Sequence, residues 1–252
     1  MMILKSSWEI DLIRKSGLIV AEALDRLAGL VEPGITTLEL DRVAEEYILK
    51  RGAKPAFKGY RGYPYTLCAS VNEQVVHALP SERTLRDGDI ISLDLGAIVD
   101  GYYGDAAITV PVGRVSAEAE RLIAVTRESL GRGIEAAGPG HHLSDISHAV
   151  QTAVEANGFS VVRLFVGHGI GRSLHEEPQV PNFGPPGCGP PLKPGLVLAI
   201  EPMVTAGRPD VMILDDRWTA VTRDGSLSAH FEHTVAVTQD GVEVLTSLDG
   251  RS

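Results

Sequence analysis

Asp100-Gly101 is the dipeptide that constrains this chain most. Asp-Gly between two apolar runs is the strongest short-range signal for a two-residue β-hairpin. The flanking runs are Ile90–Leu95 and Ala106–Val110. With Asp100 and Gly101 as the loop, Val99 faces Tyr102 and, counting back, Gly96 faces Asp105. Strand parity then puts Ile91, Leu93 and Leu95 on one face and Ser92, Asp94 and Gly96 on the other. Asp94 lies diagonal to Asp105 on that second face, about 7–8 Å away, with the small Gly96 directly across. Two carboxylates converging on a sheet repel unless a proton or a cation lies between them. The hairpin points to a metal. The plainer alternative is two solvated acids on a polar strand face.

Around this hairpin the punctuation is helical. Ser6-Ser7-Trp8-Glu9 and Thr36-Thr37-Leu38-Glu39 are capping boxes, each followed by apolar residues at helical spacing. The first helix is expected to stop near Gly29 and the second at Gly52. Ser116–Ala137 and Leu143–Asn157 read as two further helices, closed by Gly138-Pro139 and Gly158. Leu196–Ile200 and Phe231–Val237 read as two further strands. Pro55 to Pro80 is irregular and strand-like, and Pro178 to Pro194 is a Pro/Gly loop too short for an interdomain linker. Helix pairs and strand runs alternate twice, before and after Val115, without an internal repeat in the residues. The expectation is a single α+β domain over residues 1–252 with two similar halves.

Three more residues carry chemistry on apolar ground. His168 lies between glycines in Gly167-His168-Gly169-Ile170-Gly171, where the backbone can approach a ligand or bend sharply. A loop histidine is the alternative. Glu201 ends the run Leu196-Val197-Leu198-Ala199-Ile200, where a carboxylate is costly unless salt-bridged or metal-bound. Glu232 leads into His233-Thr234-Val235-Ala236-Val237. Four acids and one imidazole suit manganese, iron or cobalt better than a structural zinc, which prefers thiolates and several histidines. Four carboxylates carry the charge of two divalent ions, which suggests a pair sharing bridging carboxylates.

The charge balance excludes other classes. With 33 acids against 23 bases the net charge is −10, which speaks against a nucleic-acid surface. Cys68 and Cys188 are the two cysteines, too few for a disulfide framework or a Cys-rich zinc module. No run approaches eighteen apolar residues and no signal peptide opens the chain, so a reducing cytoplasmic setting is expected.

The order Asp94, Asp105, His168, Glu201, Glu232, with its flanking words, resembles the five metal ligands of the methionine aminopeptidases of type I, bacterial style. Those words are Leu93-Asp94-Leu95-Gly96, Tyr103-Gly104-Asp105, Gly167-His168-Gly169-Ile170-Gly171, Ile200-Glu201-Pro202-Met203 and Phe231-Glu232-His233-Thr234. His175-Glu176-Glu177-Pro178 and Gly59-Tyr60-Arg61-Gly62-Tyr63-Pro64 add two more. The similarity runs from about Glu9 to Val244.

The resemblance implies the pita-bread fold, two pseudo-symmetric halves with antiparallel sheets flanked by helices. It implies two divalent ions: cobalt, manganese or iron, with zinc or nickel as alternatives. Asp94 would chelate one ion, Asp105 and Glu232 would bridge, and His168 and Glu201 would complete the second. A water between the ions would attack, with Glu201 taking or passing its proton. His175 would steady the tetrahedral intermediate and His77 would contact the amide nitrogen. Phe57, Tyr60, Tyr63, Cys68, Leu174 and Trp218 would line a methionine slot. The implied reaction is co-translational removal of the N-terminal methionine of nascent chains with a small second residue. A monomer with transient ribosome contact, no nucleic-acid specificity and no membrane attachment is implied as well. Three departures from the family stand out: Ala78 where Gly is frequent, Leu174 where Phe is frequent, and Phe57 where bacterial relatives often carry Cys. A proline-specific aminopeptidase or dipeptidase on the same fold and a non-catalytic binding module are the alternatives. The first usually carries a large N-terminal domain, and the second has usually lost its ligands.

Overall fold

The computed structural model describes residues 2–248. In chain order the helices and early strands are α1 (Ser7–Ala28), α2 (Thr37–Lys50), β1 (Lys54–Pro55), β2 (Leu67–Val71), β3 (Gln74–Val76), β4 (Ile90–Val99) and β5 (Tyr102–Pro111). Then come α3 (Ala117–Glu135), α4 (Leu143–Glu155), β6 (Ser160–Val161), β7 (Gly167–Gly169), β8 (Glu176–Val180), β9 (Val197–Ile200) and β10 (Met203–Thr205). The chain closes with β11 (Val211–Ile213), β12 (Ala220–Thr222), β13 (Ser228–His230), β14 (Glu232–Val237) and β15 (Val242–Val244).

Both predicted capping boxes form. Ser6 Oγ accepts from the Glu9 N–H while the Glu9 carboxylate accepts from the Ser6 N–H, and Thr36 and Glu39 repeat the exchange. Each pair satisfies helix N–H groups that otherwise have no partner, worth ~1 kcal/mol.

The hairpin is built as its loop dictates. Asp100 and Gly101 both have positive φ, 51° and 81°, the conformation of a type I′ turn. Val99 faces Tyr102 and Gly96 faces Asp105. The main sheet runs β1-β4-β5-β14-β9-β7-β8, with β2 also on β4 and β15 also on β14. Its strand pairs are antiparallel. Two three-stranded sheets, β13-β10-β6 and β11-β12-β3, flank it.

The two halves are visible in this order. The pair α1–α2 precedes the β4–β5 hairpin, and the pair α3–α4 precedes β9 and β14. The halves meet where β5 pairs with β14, at Glu232 opposite Ala107 and His233 opposite Ala106. Helices cover one face of the joined sheet. Leu93, Leu95 and Ala106 bury against α1 and α2, and Leu198, Ile200, Val235 and Val237 against α3 and α4. Each such fully buried Leu, Ile or Val side chain contributes about 2 kcal/mol. The opposite face is left for the site.

Helix α1 lies unusually close to the hairpin. A Cβ on Gly104 would sit 2.6 Å from the Gly17 nitrogen, and one on Gly17 would sit 2.3 Å from the Leu245 carbonyl oxygen. Ser16 Oγ donates to the Tyr102 carbonyl at 2.8 Å and accepts from the Val99 N–H at 3.1 Å, tying the helix to both strands. Because backbone, not a flexible side chain, fills the space, Gly104→Ala is expected to cost about 3 kcal/mol. That corresponds to a fall of roughly 10 °C in Tm for a chain of this size. An unchanged melting temperature would refute the close contact.

The hairpin strands run further toward their turn than the apolar runs Ile90–Leu95 and Ala106–Val110, and the Pro/Gly loop begins later than expected. Pro178 to Val180 belong to strand β8 rather than to the Pro/Gly loop. β8 is the last strand in the sheet order, and an edge strand tolerates the missing proline N–H.

Candidate active site

Register alone gathers the acids. Asp94 pairs with Ala107 and Asp105 with Gly96, so these four share a face. Ala107 pairs with Glu232, which carries that face onto β14. Thr234 pairs with Ala199, and Ala199 with His168, so His168 joins it from β7. Glu201 is the residue after β9, two positions beyond Ala199, and parity returns it to the same side. Ligand atoms of Asp105, His168 and Glu232 come within 4.8 Å of one another, and all three residues are buried. His168 Nε2 lies 3.5 Å from Glu201 Oε1.

The local frame explains why these side chains stay in place. Thr234 Oγ1 donates to the Asp105 carbonyl and accepts from the Asp105 N–H, holding Asp105 across the seam. His168 Nδ1 is 2.9 Å from the Gly169 carbonyl, which can only accept. Nδ1 therefore carries the proton, and the Nε2 lone pair faces Glu201. The glycines around His168 are there for neighbouring strands rather than for a ligand. A Cβ on Gly167 would meet the Ala199 carbonyl at 2.4 Å, and one on Gly169 the Glu177 carbonyl at 2.4 Å. Gly96 has a comparable duty, since its Cβ would press on Ala56 Cβ at 2.8 Å and on the Phe57 ring at 2.9 Å.

Electrostatically the cluster is short of positive charge. Among the described residues, no Lys or Arg pairs with Asp94, Asp105, Glu201 or Glu232. Asp94 Oδ1, Asp105 Oδ1 and Glu232 Oε1 are buried without a hydrogen-bond partner. Burial lifts Asp94 to a pKa of about 7. Burial, then the neighbouring carboxylates, lift Asp105, Glu201 and Glu232 well above the usual range. Burial holds His168 down at about 3, so its imidazole is neutral. A neutral imidazole lone pair facing a carboxylate, beside orphaned carboxylate oxygens, is the donor set of a divalent cation. The residues fit a metal.

The cavity holding this cluster has a volume of about 140 Å³. Phe57, Tyr60, Tyr63, Cys68, Leu174 and Trp218 form its wall, and His77 and His175 also line it. Trp218 meets Tyr63 edge-on at 5.1 Å. Tyr63 is fixed by its hydroxyl, 3.0 Å from the Leu67 and 3.1 Å from the Ala78 carbonyl oxygens. Burial pushes the Cys68 thiol up, so it stays neutral and acts as a small apolar surface. Tyr60 stacks on His175, and its hydroxyl is 2.9 Å from His175 Nδ1. His175 packs on His168 with ring centroids 4.2 Å apart. His77 has φ +60°, a conformation costly for a non-glycine residue, and burial lowers its pKa to about 4.

All thirteen residues singled out in the sequence thus line one cavity. Two others belong with them. Arg61 is a lining residue, and it lies inside the quoted Gly59–Pro64 string. His230 Nε2 is 3.9 Å from Glu201 Oε2, and both ring nitrogens are buried without a hydrogen-bond partner. Its place two residues before Glu232 was the signal available.

Residues 11–239 match the model of metallopeptidase family M24. The chain belongs to that family. Within M24 it stands among the methionine aminopeptidases. It is 58% identical to methionine aminopeptidase of Clostridium perfringens over 98% of this chain and 99% of that protein. It is 54% identical to methionine aminopeptidase 1 of Bacillus subtilis, again over 98% and 99%. The crystal structure of methionine aminopeptidase from Thermotoga maritima superposes with a TM-score of 0.97 at 48% identity, covering 98% of this chain and all of that one. The pita-bread fold of M24 is therefore the fold of this chain. As an M24 member it is a metal-dependent hydrolase of peptides. No helix among the described residues is long and apolar enough to cross a membrane.

Proposed function

We propose that this chain removes the N-terminal methionine from nascent proteins during their synthesis, with preference for a small second residue. The observation that carries the reading is the union, in one narrow cavity, of an unneutralised carboxylate–imidazole cluster with an apolar, sulfur- and aromatic-lined wall. The names of its close relatives support the same reading.

Asp94, Asp105, His168, Glu201 and Glu232 would hold two divalent ions. When bound, such ions polarise a carbonyl and acidify a water at neutral pH. The chain's own residues do the rest. Tyr63, Cys68, Leu174, Phe57 and Trp218 receive the methionine side chain, whose flexible thioether suits an irregular slot with aromatic edges. Tyr60 presents its hydroxyl to His175 Nδ1. With Tyr60 donating, His175 keeps its proton on Nε2 and can donate it to the peptide carbonyl. His77 is placed to meet the amide nitrogen. Glu201 takes a proton and returns it to the leaving amine. The chain would work as one catalytic domain, monomeric and cytoplasmic, touching the ribosome only transiently.

The direct test is release of free methionine by metal-stripped protein re-supplied with one divalent metal at a time. Met-Ala-Ser is expected to be cleaved, and Met-Leu-Ser at least tenfold more slowly. Leu-Ala-Ser cleaved as fast as Met-Ala-Ser would refute the methionine slot.

A further inference from the structure

Arg61 is the cavity residue whose charge the reaction above leaves unused. Among the described residues lining the cavity it bears the one permanent positive charge, in a site otherwise dominated by four carboxylates. Its backbone is held at φ +49°, between Gly59 at +88° and Gly62 at +89°. That conformation is costly for an arginine, so the turn fixes where the side chain starts. The guanidinium lies 5.3 Å from the centre of the Tyr60 ring, and Tyr60 is itself stacked on His175 at 5.4 Å. The charge is felt at His175, whose pKa it lowers after burial. Among the described residues no acidic side chain forms an ion pair with Arg61. It is exposed, poised and unmatched.

Resting on the reading above, we propose that Arg61 is a specificity-determining residue that selects for an acidic side chain at the third residue of the peptide. With the methionine in the slot and the scissile bond by His175, the row from His175 through half-buried Tyr60 to exposed Arg61 offers the rest of the peptide a path out. Each of the two ring spacings matches about one and a half extended residues, which carries the chain to the second or third residue. A small second residue offers no charge, so the third is where Arg61 finds a partner. The effect runs against the field of the whole molecule. With two divalent ions held by the four carboxylates, the chain's formal charge of −10 still stays negative and disfavours acidic peptides, and Arg61 supplies the opposite sign locally.

The test uses the metal-loaded full chain and three amidated peptides, Met-Ala-Asp, Met-Ala-Asn and Met-Ala-Lys, read as ratios of kcat/KM within each variant. The ratio cancels any general loss caused by altering Tyr60 or His175. Wild type is expected to favour Asp over Asn about threefold, the scale of an exposed ion pair, and to disfavour Lys. Arg61→Gln should level the three, Arg61→Glu should invert the order, and Arg61→Lys should keep it in weakened form. In 1 M salt the wild-type preference should collapse, because the screening length falls to about 3 Å. Methionine release with the same ratios in wild type and Arg61→Gln would overturn this inference alone. No methionine release by wild type from any of the three peptides would overturn the aminopeptidase reading, and this inference with it.

Discussion

Asp105→Ala and Glu232→Ala are each expected to remove bound metal and peptide cleavage together, with turnover falling by about 10³-fold or more. Both carboxylates project from the line where the two halves join, and each has a buried oxygen with no hydrogen-bond partner among the described residues. Either loss breaks the compact trio with His168. Loss of the Asp105 charge should instead favour the metal-free fold. Asp105 raises the pKa values of Glu201 and Glu232 by charge, so removing it relieves repulsion. Metal-free Asp105→Asn should therefore melt higher than metal-free wild type at pH 8. His175→Ala is the control, expected to keep full metal content while turnover falls by about 10²-fold. Metal analysis, turnover and melting on the same preparations separate these cases. Full activity in Asp105→Ala would sink the assignment.

The second large effect concerns pH. Stripped of metal, the protein should lose stability steadily as pH rises from about 6.5 to 8, and added metal should abolish the loss. The sign follows from the raised carboxyl pKa values. A carboxyl that holds its proton longer in the folded state contributes stability below its unfolded pKa. That contribution disappears as pH climbs through the folded value, which for Asp94 is about 7. The buried histidines pull the other way. His168 and His230 are lowered to about 3 and His77 to about 4, so they cost stability as pH falls below their unfolded value near 6.5. Above that pH they are neutral in both states, and the carboxyls act alone. Each carboxyl still protonated in the folded state then lowers stability by ~1.4 kcal/mol per pH unit. Metal requires those carboxylates ionised, so its benefit grows over the same interval. At a thousandfold excess over Kd it amounts to ~4 kcal/mol. Melting curves with and without metal should diverge between pH 6.5 and 8. Parallel curves would refute the cluster's role.

Much of this was readable from residues because the determinants are local. Asp100-Gly101 fixes a turn, the turn fixes a register, and the register puts Asp94 and Asp105 on one face. Glu201 and Glu232 stand out because a carboxylate at the end of an aliphatic strand needs a partner. What stayed hidden depends on distant neighbours. The strands β6, β10, β11, β12 and β13 are two or three residues long, too short for alternation to register. Gly167 and Gly169 are explained only by the carbonyls of Ala199 and Glu177 facing them. Arg61 reaches the cavity because an unfavourable backbone angle turns it there, and no pattern of polarity encodes that.

The seam between β5 and β14 rests on two residue pairs, Glu232 with Ala107 and His233 with Ala106. A slip of one residue there would exchange the faces of that strand. Glu232 would then point into the aliphatic layer under α3, where an unpaired carboxylate is heavily penalised, and His233 would take its place. A chain joined in that wrong frame would keep Asp94 and Asp105 but lose Glu232 from the carboxylate cluster. A metal centre at this cluster would thus double as a checksum on the assembly of the two halves: an ion would be held firmly only when the halves have closed in the correct frame, and occupancy would read out that closure.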